Sequence, residues 1–102
     1  MRRVKLSAAA RADLSEIQRY SIREFGLEVA NAYLRGMNGA FALLAEHPFA
    51  GALETDLGDA IRCLRHKRHR IYYRVVKDEI AVMRIIHHAR DVQSTTIATG
   101  ER

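Results

Sequence analysis

The residues able to do chemistry crowd into one stretch, Ile61 to Asp91, IRCLRHKRHRIYYRVVKDEIAVMRIIHHARD. Between Ile61 and Arg90, nine basic residues (Arg62, Arg65, Lys67, Arg68, Arg70, Arg74, Lys77, Arg84 and Arg90) meet two acids, Asp78 and Glu79. Residues 1–60 carry seven basic against eight acidic residues. The net charge of +5 and the pI near 9.9 therefore belong to the C-terminal half. Such a charge suits nucleic acid or an acidic protein surface equally. The run His66-Lys67-Arg68-His69-Arg70 has the charge to grip a phosphate, although a basic run in a hairpin is more often a solvated turn. His87 and His88 could move protons or simply cap a strand end. The five histidines (His47, His66, His69, His87, His88) follow no metal-ligand spacing, and neither a metal nor a cofactor is expected. The single cysteine, Cys63, cannot form an internal disulfide and reads as a small core residue. Tyr72 and Tyr73 could stack on bases, but aromatics in strands more often pack. Asp13, early in a helical stretch, offsets the helix dipole. No Gly-rich phosphate loop and no Ser-His-Asp order stands out.

The elements that must position these residues are legible in order. Arg3-Val4-Lys5-Leu6 alternates as a half-buried strand does. Ser7 is a good N-cap, and Ala8, Ala9 and Ala10 favour a helix. Leu14, Ile17, Ser21 and Phe25 keep its apolar face until Gly26 ends it. Leu27, Ala30, Tyr33, Met37, Phe41 and Leu44 define a second helix that stops before Pro48. Gly36 and Gly39 weaken that helix, and their lack of side chains suits close approach by another helix. Residues 48–60 read as a surface connection. Strands are expected at about 61–66, 69–77 and 80–87, joined by tight turns at Lys67-Arg68 and Asp78-Glu79. The sequence thus predicts one α+β domain over residues 1–102, in the order β-α-α-β-β-β. Its helical hairpin packs on a mostly antiparallel sheet. An ordered core of about 3–91 precedes a polar tail, 92–102, that frays or forms a short extra segment. No stretch has the length of a membrane span, and MRRVKLS has no apolar leader core, so a cytoplasmic protein is expected.

Alternation along the strands divides the basic stretch into two faces. The odd strand positions Ile61, Cys63, Ile71, Tyr73, Val75, Ala81, Met83 and Ile85 are apolar and are expected against the helices. Even positions place Arg62, Leu64, Tyr72, Arg74, Val82, Arg84 and Ile86 on the opposite face, an apolar patch ringed by guanidinium groups. A patch of that kind marks a binding surface. The expected occupant is an amphipathic protein segment with apolar and acidic side chains, added as a strand or laid in as a helix. Direct binding to bare nucleic acid is the lesser expectation.

The motifs, taken together, resemble a known family. LSAAARADLSEIQRYSIREFG, the AxxY of Ala30 to Tyr33, FALLAEHPFAG, HRIYYRV and IAVMRIIHHARD follow one another as in the ParE branch of the ParE/RelE toxin superfamily. The resemblance spans about residues 4–91. It implies the toxin of a type II toxin–antitoxin pair that acts on DNA gyrase and is neutralised by a ParD-like antitoxin in a toxin–antitoxin hetero-oligomer. Antitoxin or target contact would then fall to Arg62, Leu64, Tyr72, Arg74, Val82, Arg84, Ile86, His87 and Arg90. The sister RelE branch cleaves mRNA on the ribosome, which requires a base, an acid and cations for the phosphate transition state. Arg62, Arg84, His87 and Arg90 are the residues that could supply these. RelE-like enzymes carry a tyrosine or histidine near the chain end, and here no tyrosine follows Tyr73. That departure favours the branch without nuclease activity. A third alternative is a non-toxic protein of the same fold that acts only in an antitoxin complex.

Overall fold

Ser7 decides where the first strand stops and the first helix starts. Its hydroxyl accepts from the Ala10 N–H at 3.0 Å, the N-cap bond, and donates to the Met83 carbonyl at 2.8 Å. In this computed structural model, which describes residues 2–100, β1 (Arg3–Leu6) leads through Ser7 into α1 (Ala8–Phe25). Gly26, at φ 89°, ends α1 and at once begins α2 (Leu27–Glu46). That left-handed backbone is the reason a glycine stands at the sharp joint. The two helices pack on each other as the expected hairpin.

The sheet has the order β1-β5-β4-β3-β2. Its members after the helices are β2 (Ala52–Leu53), β3 (Arg62–His66), β4 (His69–Val76) and β5 (Glu79–His87). Only β1 runs parallel to its neighbour β5; the other pairs are antiparallel. The expected α+β architecture holds. It gains the short β2 and a 3-10 turn, Thr55–Leu57, inside the segment read as a bare connection. The hairpin turns are Lys67-Arg68 and Lys77-Asp78, the second one residue earlier than expected because Glu79 pairs with Val76. Lys67 and Lys77 open these turns at φ 53° and 55°, where glycine usually stands in a two-residue hairpin.

The division of the strands by odd and even number does not survive. A two-residue hairpin pairs residues whose numbers sum to an odd value, so Leu64 sits opposite Ile71 and Cys63 opposite Tyr72. An even residue of β3 therefore shares a face with an odd residue of β4. Tyr73 pairs with Val82 but Tyr72 with Arg84, so Met83 is an extra, bulged residue that resets β5. The helix-facing core contains Ile71, Tyr73, Ile80, Val82 and Ile85, with Leu64 and Val75 against it. The other face buries Ile61, Cys63, Tyr72, Met83 and Ile86.

That second face is covered by the chain itself. Residues of the expected polar tail form α3 (Ser94–Ala98), whose Ile97 is 1% exposed and packs with Met83 and Ile86. Gln93 and Thr96 cap its start reciprocally. One isoleucine in an otherwise polar segment is sufficient anchor because the sheet offers an apolar bed. Val92 and Leu57 complete the cover. Residues 1, 101 and 102, the ends of the expected domain, lie outside the described residues. Among the described residues, no helix is long and apolar enough to cross a membrane.

Candidate functional site: a groove between the first helix and the end of the sheet

β5 outruns β1. Past Leu6 its edge would be left open, but Asp13 of α1 fills the gap. The Asp13 carboxylate accepts from the Ile85 N–H at 2.9 Å and takes a two-pronged bond from Arg84, at 2.7 and 2.9 Å. Both side chains are more than four-fifths buried, at 13% and 14% exposure. The Asp13 hydrogen bond raises the Arg84 guanidinium above its already high ordinary value. Arg84 also donates to the Thr96 carbonyl and to the Thr99 hydroxyl, so one side chain ties α1, β5 and α3 together.

Beyond Asp13 the space between α1 and the end of β4 and β5 opens into a groove of about 750 Å³. Its apolar wall includes Ile17, Tyr20, Phe25 and Val29; Tyr20, Phe25 and Val29 are each about half exposed. Its far end carries Lys67, Arg68, His69, His87 and Arg90. Tyr33 of α2 lies beneath that end, its hydroxyl 2.6 Å from His69 Nδ1. The His69 and His87 rings meet edge to face, and His87 stacks on His88. Burial, and then His87, His66, His88 and Arg68, push the His69 pKa down to about 4. His69 is therefore neutral near pH 7, with its Nδ1 against the Tyr33 hydroxyl, which also donates to the His66 carbonyl at 3.4 Å. Burial likewise raises the Tyr33 hydroxyl.

The structure disperses the residues expected on one binding face. Val82 is buried under the helices, and Leu64 packs against the same core. Tyr72 lies under α3. Ile86 is buried there too but reaches the groove. Arg62 donates to the Gly51 carbonyl at 2.7 Å and lies over the Phe49 ring. Arg74 donates to the Asp59 carbonyl. Arg84 is held by Asp13. Of the nine, Ile86, His87 and Arg90 line the groove. The four nuclease candidates are likewise not gathered: His87 and Arg90 share the groove, Arg84 is bound to Asp13 and Arg62 turns to the Pro48–Gly51 loop. Sequence reading put Ile17 and Phe25 on the apolar face of the first helix without marking Phe25 as exposed, and it missed Tyr20 and Val29, which lie off that periodic face. It did note Tyr33, within AxxY. Among the described residues, no group of three His, Cys, Asp or Glu is placed to hold a metal ion.

The site thus belongs to a small α+β domain, a helical hairpin on a five-stranded mixed sheet with a groove at one end. The family described as ParE toxin of type II toxin–antitoxin system, parDE, matches residues 4–92, and the chain belongs to that family. It is 30% identical to Toxin ParE1 of Caulobacter vibrioides over 94 residues, covering 92% of this chain and 97% of that protein. It is 33% identical to Toxin ParE1 of Mycobacterium tuberculosis over 91 residues, covering 88% and 93%. A solved structure described as a chromosomal ParDE TA system from P. aeruginosa shares the fold. Its TM-score is 0.74 at 24% identity, over 85% of this chain and 96% of that one.

Proposed function

We propose that this ParE-family toxin inhibits DNA gyrase and is neutralised by a ParD-like antitoxin whose amphipathic segment lies in the groove. The observation that carries the antitoxin reading is the groove itself. Its half-exposed Tyr20, Phe25 and Val29 give apolar anchorage, and Lys67, Arg68 and Arg90 stand at one end to meet acidic side chains. Family membership supports gyrase as the target. The dispersal of Arg62, Arg84, His87 and Arg90 weighs against the nuclease reading, because general acid–base cleavage needs its groups within reach of one phosphate. Tyr33 and His69 spend their shortest polar contact on each other.

The test is a gyrase supercoiling assay run beside an mRNA cleavage assay in a translation mixture, on one protein preparation. Loss of supercoiling or accumulation of cleaved DNA, with mRNA intact, is expected. Cut mRNA with unaffected gyrase would overturn the reading. Addition of a ParD-like antitoxin should restore supercoiling, and Phe25→Asp in the groove wall should weaken that rescue while the toxin remains folded.

A further inference from the structure

The basic end of the groove differs in chemistry from its apolar wall. Arg68 and Lys67 belong to the β3–β4 turn, and Arg90 to the turn after β5. A backbone bond, His88 N–H to the Arg68 carbonyl at 2.8 Å, fastens these two turns together. The Ala89 N–H donates to His87 Nδ1 at 3.1 Å, which leaves Nε2 as the ring's donor. His69 Nδ1 is engaged by the Tyr33 hydroxyl at 2.6 Å. The rim thus presents donors and positive charge from two turns held in register. The two carboxylates that line the groove are engaged, Asp13 with Arg84 and Glu16 with Arg19 at 2.7 Å, while Asp91 beside Arg90 is exposed. Burial first, and then the neighbouring His87, His66, His88 and Arg68, depress the pKa of His69 at the edge of this rim.

We infer that this rim, Lys67, Arg68, His87 and Arg90, is a contact for the phosphate backbone of double-stranded DNA. It would add to the protein contacts of the groove wall. A duplex carries closely spaced anions with many acceptor oxygens and no donors on its phosphates, the complement of a rim made of donors. A contact made to phosphates is indifferent to sequence. The choice of DNA among phosphate polymers rests on the gyrase reading, since a gyrase poison works where DNA is bound.

The inference is tested without gyrase, by fluorescence anisotropy of the full chain with a labelled duplex of about 20 base pairs across a series of salt concentrations. The Lys67→Gln/Arg68→Gln/Arg90→Gln variant is compared with Lys5→Gln/Arg11→Gln/Arg35→Gln, which loses equal charge elsewhere. Circular dichroism checks that both are folded. At about 0.9 in slope per phosphate contact, the rim variant should flatten the salt dependence by roughly 2 to 3, and the control by much less. Equal effects of the two variants, or no salt-dependent binding by the parent chain, would refute the assignment. So would a glutamate decapeptide that competes as well as unlabelled duplex, which would leave the rim to the acidic side chains of the antitoxin segment alone. Salt-dependent duplex binding lost in the rim variant, together with unaffected gyrase, would leave the phosphate contact standing and remove the gyrase reading alone.

Discussion

Two side chains carry consequences out of proportion to their size. Arg84 and Asp13 form a largely buried pair with every close donor and acceptor used. Removing Arg84 leaves a buried carboxylate without its cation, and removing Asp13 leaves a buried guanidinium and an unmet Ile85 N–H. Arg84→Ala should therefore lower unfolding stability by about 3–5 kcal/mol in a denaturant titration, a large part of the usual total. Arg84→Met with Asp13→Leu should cost clearly less than the single change, because no lone charge remains. A single variant of near parental stability would deny the pair its structural role. His69 sets a pH dependence. Unfolded, it titrates near 6.5; folded, near 4. The stability linked to its neutral form is complete above pH 6.5. It is lost as pH falls from 6.5 towards 4, where the unfolded chain takes up the proton first. The loss should reach about 2 kcal/mol, given the ring's partial burial. His69→Asn should flatten that part of the curve, and an unchanged slope would place the titration elsewhere. Asp13 itself was legible in sequence only as a helix-dipole partner. Its real partners are 71 and 72 residues away in the chain, beyond any local pattern.

At the scale of elements, local chemistry was readable and register was not. Ser7, Gly26 and Pro48 punctuate the helices because caps and breakers act on their immediate neighbours. Faces depend on how strands are joined. The two-residue turns at Lys67 and Lys77 reverse the odd–even correspondence between strands, and the Met83 bulge reverses it again within β5. Turns of Lys-Arg and Lys-Asp lack the glycine that would have advertised their geometry. The glycines in α2 were also only half read. Gly36 makes room for the His66 imidazole, 3.1 Å from where its Cβ would stand, whereas Gly39 faces open space. The C-terminal segment hid its role behind polar composition, since a single isoleucine gives no periodicity. Ile97→Ala should cost about 2–4 kcal/mol and expose the Met83–Ile86 face, measurable as a lower melting temperature with increased binding of an apolar dye. A variant as stable as the parent would show that α3 is dispensable cover.

For the whole molecule, the α+β class and the helical hairpin were legible because they follow from periodicity and punctuation summed over long segments. The surplus of positive charge in the C-terminal half was also plain. Where that charge converges was not, since it depends on two turns, 20 or more residues apart, being tied together by His88 and Arg68. The groove shares that dependence: one wall comes from α1 and α2, the other from the ends of β4 and β5. The carboxylate of Asp13 has a further consequence for how copies of the protein behave towards one another. A strand with an unpaired margin invites a second copy to zip onto it, and repetition of that step makes fibres. By holding the Ile85 N–H, and with Ser7 holding the Met83 carbonyl, two side chains at the start of one helix blunt the template that β5 would otherwise offer to its own kind.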